Sequence, residues 1–187
     1  MFSGISAGDS IRQSIFQALS IGTSTGYSSV NYMEWPVITH FVLLILMIVG
    51  ACAGSTSGGL KLMRIILAFK IAIRELVRIA QPRKIKQIRM NGEVVDNQQI
   101  YKIVGMLFVW IGLFAISSIL LAVLMSGSSL ESILSVTAAS LGNTGPALGD
   151  YGPANTWSGM NFGALFLTSI LMWFGRLELL TVVILLH

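Results

Sequence analysis

Apolar positions in this chain gather into runs with distinct periods. Ile11 to Ile21 mixes apolar and polar residues at helical spacing, which predicts a short amphipathic helix. Val37 to Val49 is apolar apart from Thr39 and His40 and predicts a second helix. At 1.5 Å per residue that run covers about 20 Å, too short for the roughly 30 Å of hydrocarbon in a bilayer. Small residues with low helix propensity follow from Gly50 to Gly59, and helical periodicity resumes from Leu60 to about Ile79. The expectation is one helix broken at membrane depth.

Within the resumed helix Lys70, Arg74 and Arg78 share one face, while Ile66, Ile73 and Val77 can cover the other. Pro82 is expected to close it. Between Arg83 and Gln99, Asn91-Gly92 sits between strand-like runs and predicts a two-residue hairpin with a type I′ turn. Ile103 to Met125 predicts a full span, with Trp110, Ser117 and Ser118 as its polar features. Leu130 to Leu141 is again too short to cross and ends in Gly142-Asn143-Thr144-Gly145-Pro146. Trp157 to Leu186 predicts a last long helix containing Gly175, Arg176 and Glu178.

The order short helix, glycine-rich turn, long helix occurs twice. Aligning Gly26 with Gly145 also matches Thr25 with Thr144 and Tyr32 with Tyr151. Further on, Gly58-Gly59-Leu60-Lys61 lines up with Gly175-Arg176-Leu177-Glu178, but at a different offset from Trp35 with Trp157. The first long helix therefore carries extra residues, and they fall in its small-residue break. Two related units are expected.

Charge orients these elements. Every Lys and Arg except Arg12 and Arg176 lies between Lys61 and Lys102, which places the segment around Arg74 to Lys102 on the cytoplasmic side. Asp9, Glu34, Glu131 and Asp150 then lie outside, as an acidic rim or as ordinary solvated loop charges. With 54% apolar and 11% charged residues the chain reads as an integral membrane protein. Its membrane-like flanks argue against a basic nucleic-acid surface. The chain opens with no leader-like segment and is expected to be a piece of something larger.

Covalent chemistry finds little footing. Cys52 has no second cysteine to pair with, His40 and His187 stand apart, and no paired carboxylates lie inside a span, so no enzyme is expected. His40 reads as a packing or interfacial residue. Gly54 to Lys61 is faintly like a phosphate loop but lacks the Gly-Lys-Ser/Thr ending. A purely structural membrane subunit, with glycines serving helix packing, leaves the two turns without a reason.

Unpaired peptide groups cost several kcal/mol in hydrocarbon, so glycine-rich turns at membrane depth survive only against protein or a water-filled path. Thr23-Ser24-Thr25-Gly26-Tyr27 has the chemistry of a potassium filter: glycine lets the backbone aim carbonyls at one axis, where they replace the ion's water shell.

Together with Gly50 to Lys61, Asn143 to Pro146 and Gly175 to Glu178, this segment resembles the superfamily of Trk, Ktr and HKT potassium transporters, specifically its bacterial TrkH-like membrane subunits. The resemblance covers nearly the whole chain. It implies an all-α integral membrane fold of helix–pore-loop–helix repeats, with a broken transmembrane helix and a small cytoplasmic β-hairpin. Residues 1–79 would hold the third repeat's pore helix, filter loop and broken second helix, 80–100 a basic cytoplasmic linker, and 101–187 the fourth repeat.

The first two repeats and the third's opening helix are missing, so the chain would supply half a filter. Thr23, Ser24, Thr25, Gly26 and Tyr27 would form one potassium-binding loop. Gly142, Asn143, Thr144, Gly145 and Pro146 would form the other. Ser24, Thr25, Asn143 and Thr144 would give ion-binding oxygens. Gly50, Ala51, Gly54, Ser55, Thr56, Ser57, Gly58, Gly59 and Lys61 would belong to an intramembrane gating loop beneath the filter, with Arg176 beside it. Arginine at a helix centre costs roughly 2.5 to 3.5 kcal/mol to insert, which independently predicts a cavity or partner for Arg176.

The implied function is potassium uptake across a bacterial inner membrane, with K+ as the transported ion and no organic cofactor. The implied partners are membrane lipid, a TrkA-like cytosolic nucleotide-binding ring and a second copy in a homodimer. Lys84, Lys86 and Arg89 of the hairpin would help dock that ring.

Overall fold

A computed structural model describes residues 6–50, 58–81, 88–90 and 93–176. The chain is mostly helical. Helix α1 spans Ala7–Gly22, longer at its start than the periodicity predicts, because the Ser6 side chain accepts a hydrogen bond from the Asp9 N–H and caps it. Asp9 in the first turn also suits the positive end of the helix dipole.

A 3-10 turn at Tyr32–Glu34 leads to α2, Val37–Val49, whose bounds are those of the apolar run. Pro36 sets its start and Gly50, at φ +66°, its end. Helix α3, Leu62–Ala80, buries only Leu67, while Ile73 is half exposed, so its predicted apolar face lies largely open. Two strands, β1 (Arg89–Met90) and β2 (Glu93–Val94), pair antiparallel with Met90 opposite Glu93. Asn91-Gly92, where the turn is expected, and Pro82 lie outside the described residues. The Lys70 ammonium donates to the Arg89 carbonyl and ties α3 to β1.

Helix α4, Asn97–Leu124, begins before the predicted span because Asn97, Gln98 and Gln99 continue the helix beyond the apolar stretch. Its 28 residues reach about 42 Å, and Gln98–Leu124 is long and apolar enough to cross a membrane. Helix α5, Leu130–Gly142, is the centre of the packing: it is buried from Ser132 to Gly142 except at Leu134 and touches α2, α4 and α6. Its hydroxyls turn back onto their own helix, Thr137 to the Ile133 carbonyl and Ser140 to that of Val136, which makes them compatible with an apolar setting.

The last predicted helix differs at its start. Trp157–Gly159 is a separate 3-10 turn, and α6 runs Phe162–Arg176. The Asn161 side chain accepts from the Ala164 N–H, so a cap inside an apolar stretch starts the helix five residues late. The predicted continuation to Leu186 lies outside the described residues.

Candidate functional site

Helices α1 and α5 are the two short predicted helices, and each runs directly into a glycine turn. The two turns follow the same backbone path. Ser24 and Gly26 take φ +56° and +78°, and Asn143 and Gly145 take +51° and +98°. Thr25 N–H donates to the Ser20 carbonyl (2.9 Å) and Thr144 N–H to that of Ala139 (3.1 Å), positions that correspond in the alignment of Gly26 with Gly145. Left-handed backbone at alternate residues is costly for most side chains, and glycine at the second such position removes that cost.

These two turns lie side by side. A Cβ on Gly26 would run into the Thr144 carbonyl oxygen, and one on Gly145 would stand 3.7 Å from the Gly26 Cα. The Ser24 hydroxyl donates to the Gly142 carbonyl across the junction (3.1 Å). Side chains here mostly brace the loops. Asn143 Nδ2 donates to the Met172 carbonyl of α6, and the Thr23 and Thr25 hydroxyls are 2.7 Å apart. Thr144 is buried and its hydroxyl has no hydrogen-bond partner, whereas Tyr27 is exposed and its carbonyl accepts from Ser20 Oγ. Apart from the Thr144 hydroxyl these side chains are engaged, so the other oxygens left to meet a ligand are chiefly main-chain carbonyls. Among the described residues no group of three or more His, Cys, Asp or Glu is gathered to hold a metal ion.

Each loop is also held against its own helix. Gln17, fully buried, donates to Ser28 Oγ (3.1 Å) and Ser29 Oγ (3.3 Å). In the second loop Ser135 Oγ accepts from the Leu148 N–H (2.9 Å) and donates to its carbonyl (3.3 Å).

The small-residue break starts and ends at one point. Leu60 N–H donates to the Ile48 carbonyl (3.0 Å), and a Cβ on Gly59 would lie 3.3 Å from the Gly50 Cα. Ala51, Gly54, Ser55, Thr56 and Ser57 lie outside the described residues. Gly58 abuts the end of α5, where an added Cβ would be 2.7 Å from both the Leu141 and the Gly142 carbonyl oxygens. Gly175 of α6 reaches the same Leu141 carbonyl, too closely for any side chain. Lys61 is buried at φ +60°, and Arg176 ends α6 as an exposed residue. Gly58, Gly59, Lys61, Arg64, Trp110 and Gly175 border a cavity of about 30 Å3, room for a water molecule. Glu178 lies outside the described residues.

The family description "TrkH: Cation transport protein" matches residues 1–187. The chain belongs to the TrkH family. It is 33% identical over 178 residues to the Trk system potassium uptake protein TrkH of Vibrio parahaemolyticus, covering 95% of this chain and 36% of that protein. Identity is likewise 33% over 175 residues to TrkH of Escherichia coli K12, covering 94% and 35%. The crystal structure of the potassium transporter TrkH from Vibrio parahaemolyticus superposes with a TM-score of 0.87 at 33% identity, covering 99% of this chain and 39% of that one. The chain thus spans little more than a third of the curated relatives it matches.

One group of polar contacts in this TrkH-family chain escapes sequence reasoning. His40, expected to be a packing residue, is buried with Nδ1 2.9 Å from Glu131 Oε1 and Nε2 3.0 Å from the Tyr32 carbonyl. Tyr32, fully buried, donates its hydroxyl to the Ala147 carbonyl (3.0 Å). Burial raises the pKa of that phenol, so the hydroxyl stays a donor. A histidine inside an apolar run was the only signal in the sequence; its partner Glu131 lies far along the chain, in the first turn of α5.

Proposed function

We propose that this chain is the second half of a potassium-conducting membrane subunit, contributing two of four filter loops and the gating loop beneath them. The observation that carries the reading is the meeting of Gly26 and Gly145 at the ends of two short helices. Helix C-termini carry partial negative charge and favour a cation. Carbonyls presented by irregular backbone can replace its hydration shell, and such backbone persists in a membrane only beside protein or water. The transport named for the relatives agrees with this chemistry.

In this reading Thr23 to Tyr27 and Gly142 to Pro146 line the filter, with the oxygens of Ser24, Thr25, Asn143 and Thr144 as ion ligands. Residues 1–79 and 101–187 are the third and fourth helix–pore-loop–helix repeats, and the linker 80–100 with its hairpin is cytoplasmic. The break from Gly50 to Gly59, with Lys61 and Arg176, restricts the path below the filter. Support for that part is the packing of Gly58 and Gly175 on the last carbonyls of α5. The complete protein resides in a bacterial inner membrane, crosses it several times, pairs as a homodimer and is regulated by a TrkA-like nucleotide-binding ring under the basic hairpin. Its chemistry is ion transfer, with no covalent step.

Uptake of 86Rb+ into vesicles by the complete four-repeat protein tests the reading. Gly26→Ser and Gly145→Ser are expected to reduce Rb+ uptake or its preference over Na+. Parent behaviour in both variants overturns it.

A further inference from the structure

The contacts around His40 form one continuous clasp between the two units. Its first arm joins α2 to the start of α5 through His40 Nδ1 and Glu131 Oε1. Its second joins His40 Nε2 to the Tyr32 carbonyl; a carbonyl has no proton to give, so the imidazole donates. Its third runs from the Tyr32 hydroxyl to the Ala147 carbonyl, two residues beyond Gly145. The same face is sealed by Met33, which packs so closely on Gly152 that a Cβ there would lie 2.7 Å from the methionine Cγ. The clasp therefore grips the second loop at both ends: where its helix begins, and where its chain leaves the glycine turn.

We infer that Tyr32, His40 and Glu131 are positioning residues that set the ion selectivity of the loop at Gly145 from the neighbouring unit. The inference rests on the filter reading above. A selective site must hold carbonyls at fixed separations; Ser24 and Asn143 hold this loop ahead of Gly145, while beyond it Ser135 ties Leu148 only to the loop's own helix. Tyr32 adds a fixed point from another element on that far side. Other carboxylates nearby have their own partners: Glu34 accepts from Asn31 Nδ2 on the Tyr32 turn, and Asp150 is bonded to Ser132 next to Glu131. Glu131 Oε1 is buried and accepts no hydrogen bond, so the imidazole nitrogen 2.9 Å away is its nearest polar counterpart.

The imidazole stands between two oxygens, one from the Glu131 carboxyl and one from the Tyr32 carbonyl. Glutamine at position 131 offers an alternative with the same shape, because its amide can donate to Nδ1 while Nε2–H keeps the Tyr32 carbonyl. Alanine offers none. That contrast separates hydrogen-bonded positioning from bulk packing.

The test is 86Rb+ uptake with competing Na+ in the complete transporter carrying Tyr32→Phe, Glu131→Ala, Glu131→Gln or Gly145→Ser. Amounts of folded protein are checked by size-exclusion chromatography in detergent. Tyr32→Phe and Glu131→Ala are expected to keep uptake but lose Rb+ preference over Na+ by about three- to tenfold, the range covered by one lost neutral hydrogen bond. Glu131→Gln should stay near the parent. Parent selectivity in both Tyr32→Phe and Glu131→Ala, with Gly145→Ser impaired, overturns the inference and leaves the filter reading standing. Parent selectivity in Gly145→Ser counts against the filter reading itself.

Discussion

Gly26 leaves no room for a side chain against Thr144: any Cβ at the first position would collide with the carbonyl oxygen of the second. The two glycine turns are thus fitted to one another across the boundary between units, and Gly145 meets Gly26 at the less crowded distance of 3.7 Å. Unequal room gives unequal sensitivity to substitution.

Gly26→Ala combines that collision with a left-handed φ, whereas Gly145→Ala meets only the φ cost of about 1 to 2 kcal/mol. In 86Rb+ uptake by the complete transporter, Gly26→Ala should lose most activity and Gly145→Ala should keep more of it. Equal losses would contradict the packing asymmetry.

Behind the loops, Ser135→Ala should cost more than Gln17→Leu. Ser135 accepts from the Leu148 N–H and shares its one proton between the Ser132 and Leu148 carbonyls, so its loss leaves a buried peptide N–H unpaired at about 1 to 3 kcal/mol. Gln17 donates to two serines near the surface, and its buried Oε1 has no partner to lose. Thermal unfolding in detergent, followed by tryptophan fluorescence, should show the larger drop in midpoint for Ser135→Ala.

Gly175→Ala forces a methyl group against the Leu141 carbonyl, which is backbone at the end of a buried helix and cannot swing aside. Overpacking of this kind costs roughly 1 to 3 kcal/mol. The midpoint should fall clearly for Gly175→Ala and not for Gly112→Ala, where no atom lies within 4 Å of the added carbon.

Leu60 bonds back to Ile48, and Gly50 adjoins Gly59, so the described residues flanking positions 51–57 meet. Its deletion should leave α2 and α3 in register and, if the segment restricts the path, raise cation flux in the complete protein; Arg176→Ala should act in the same direction. Unchanged flux in both would remove the gate assignment.

Much of this arrangement was legible along the chain. The run from Val37 to Val49 is bounded by a proline and a glycine, so composition alone sets both ends of α2. Matching Gly26 to Gly145 identified two turns with left-handed backbone at the same two aligned positions. Other features depend on tertiary geometry. Asn161 caps α6 from within an apolar stretch, so periodicity places that helix too early. The exposed apolar face of α3 has no one-dimensional signature distinguishing it from a buried one. His40 finds Glu131 across the unit boundary, a pairing that local spacing cannot express.

The central claim is that the carbonyls beside Gly26 and Gly145 hold one monovalent cation between them. Anomalous diffraction from crystals of the complete transporter grown in Rb+ tests it most directly. An Rb+ peak is expected within coordination distance of main-chain oxygens from both loops. Rb+ peaks elsewhere along the path with none at this junction would contradict it.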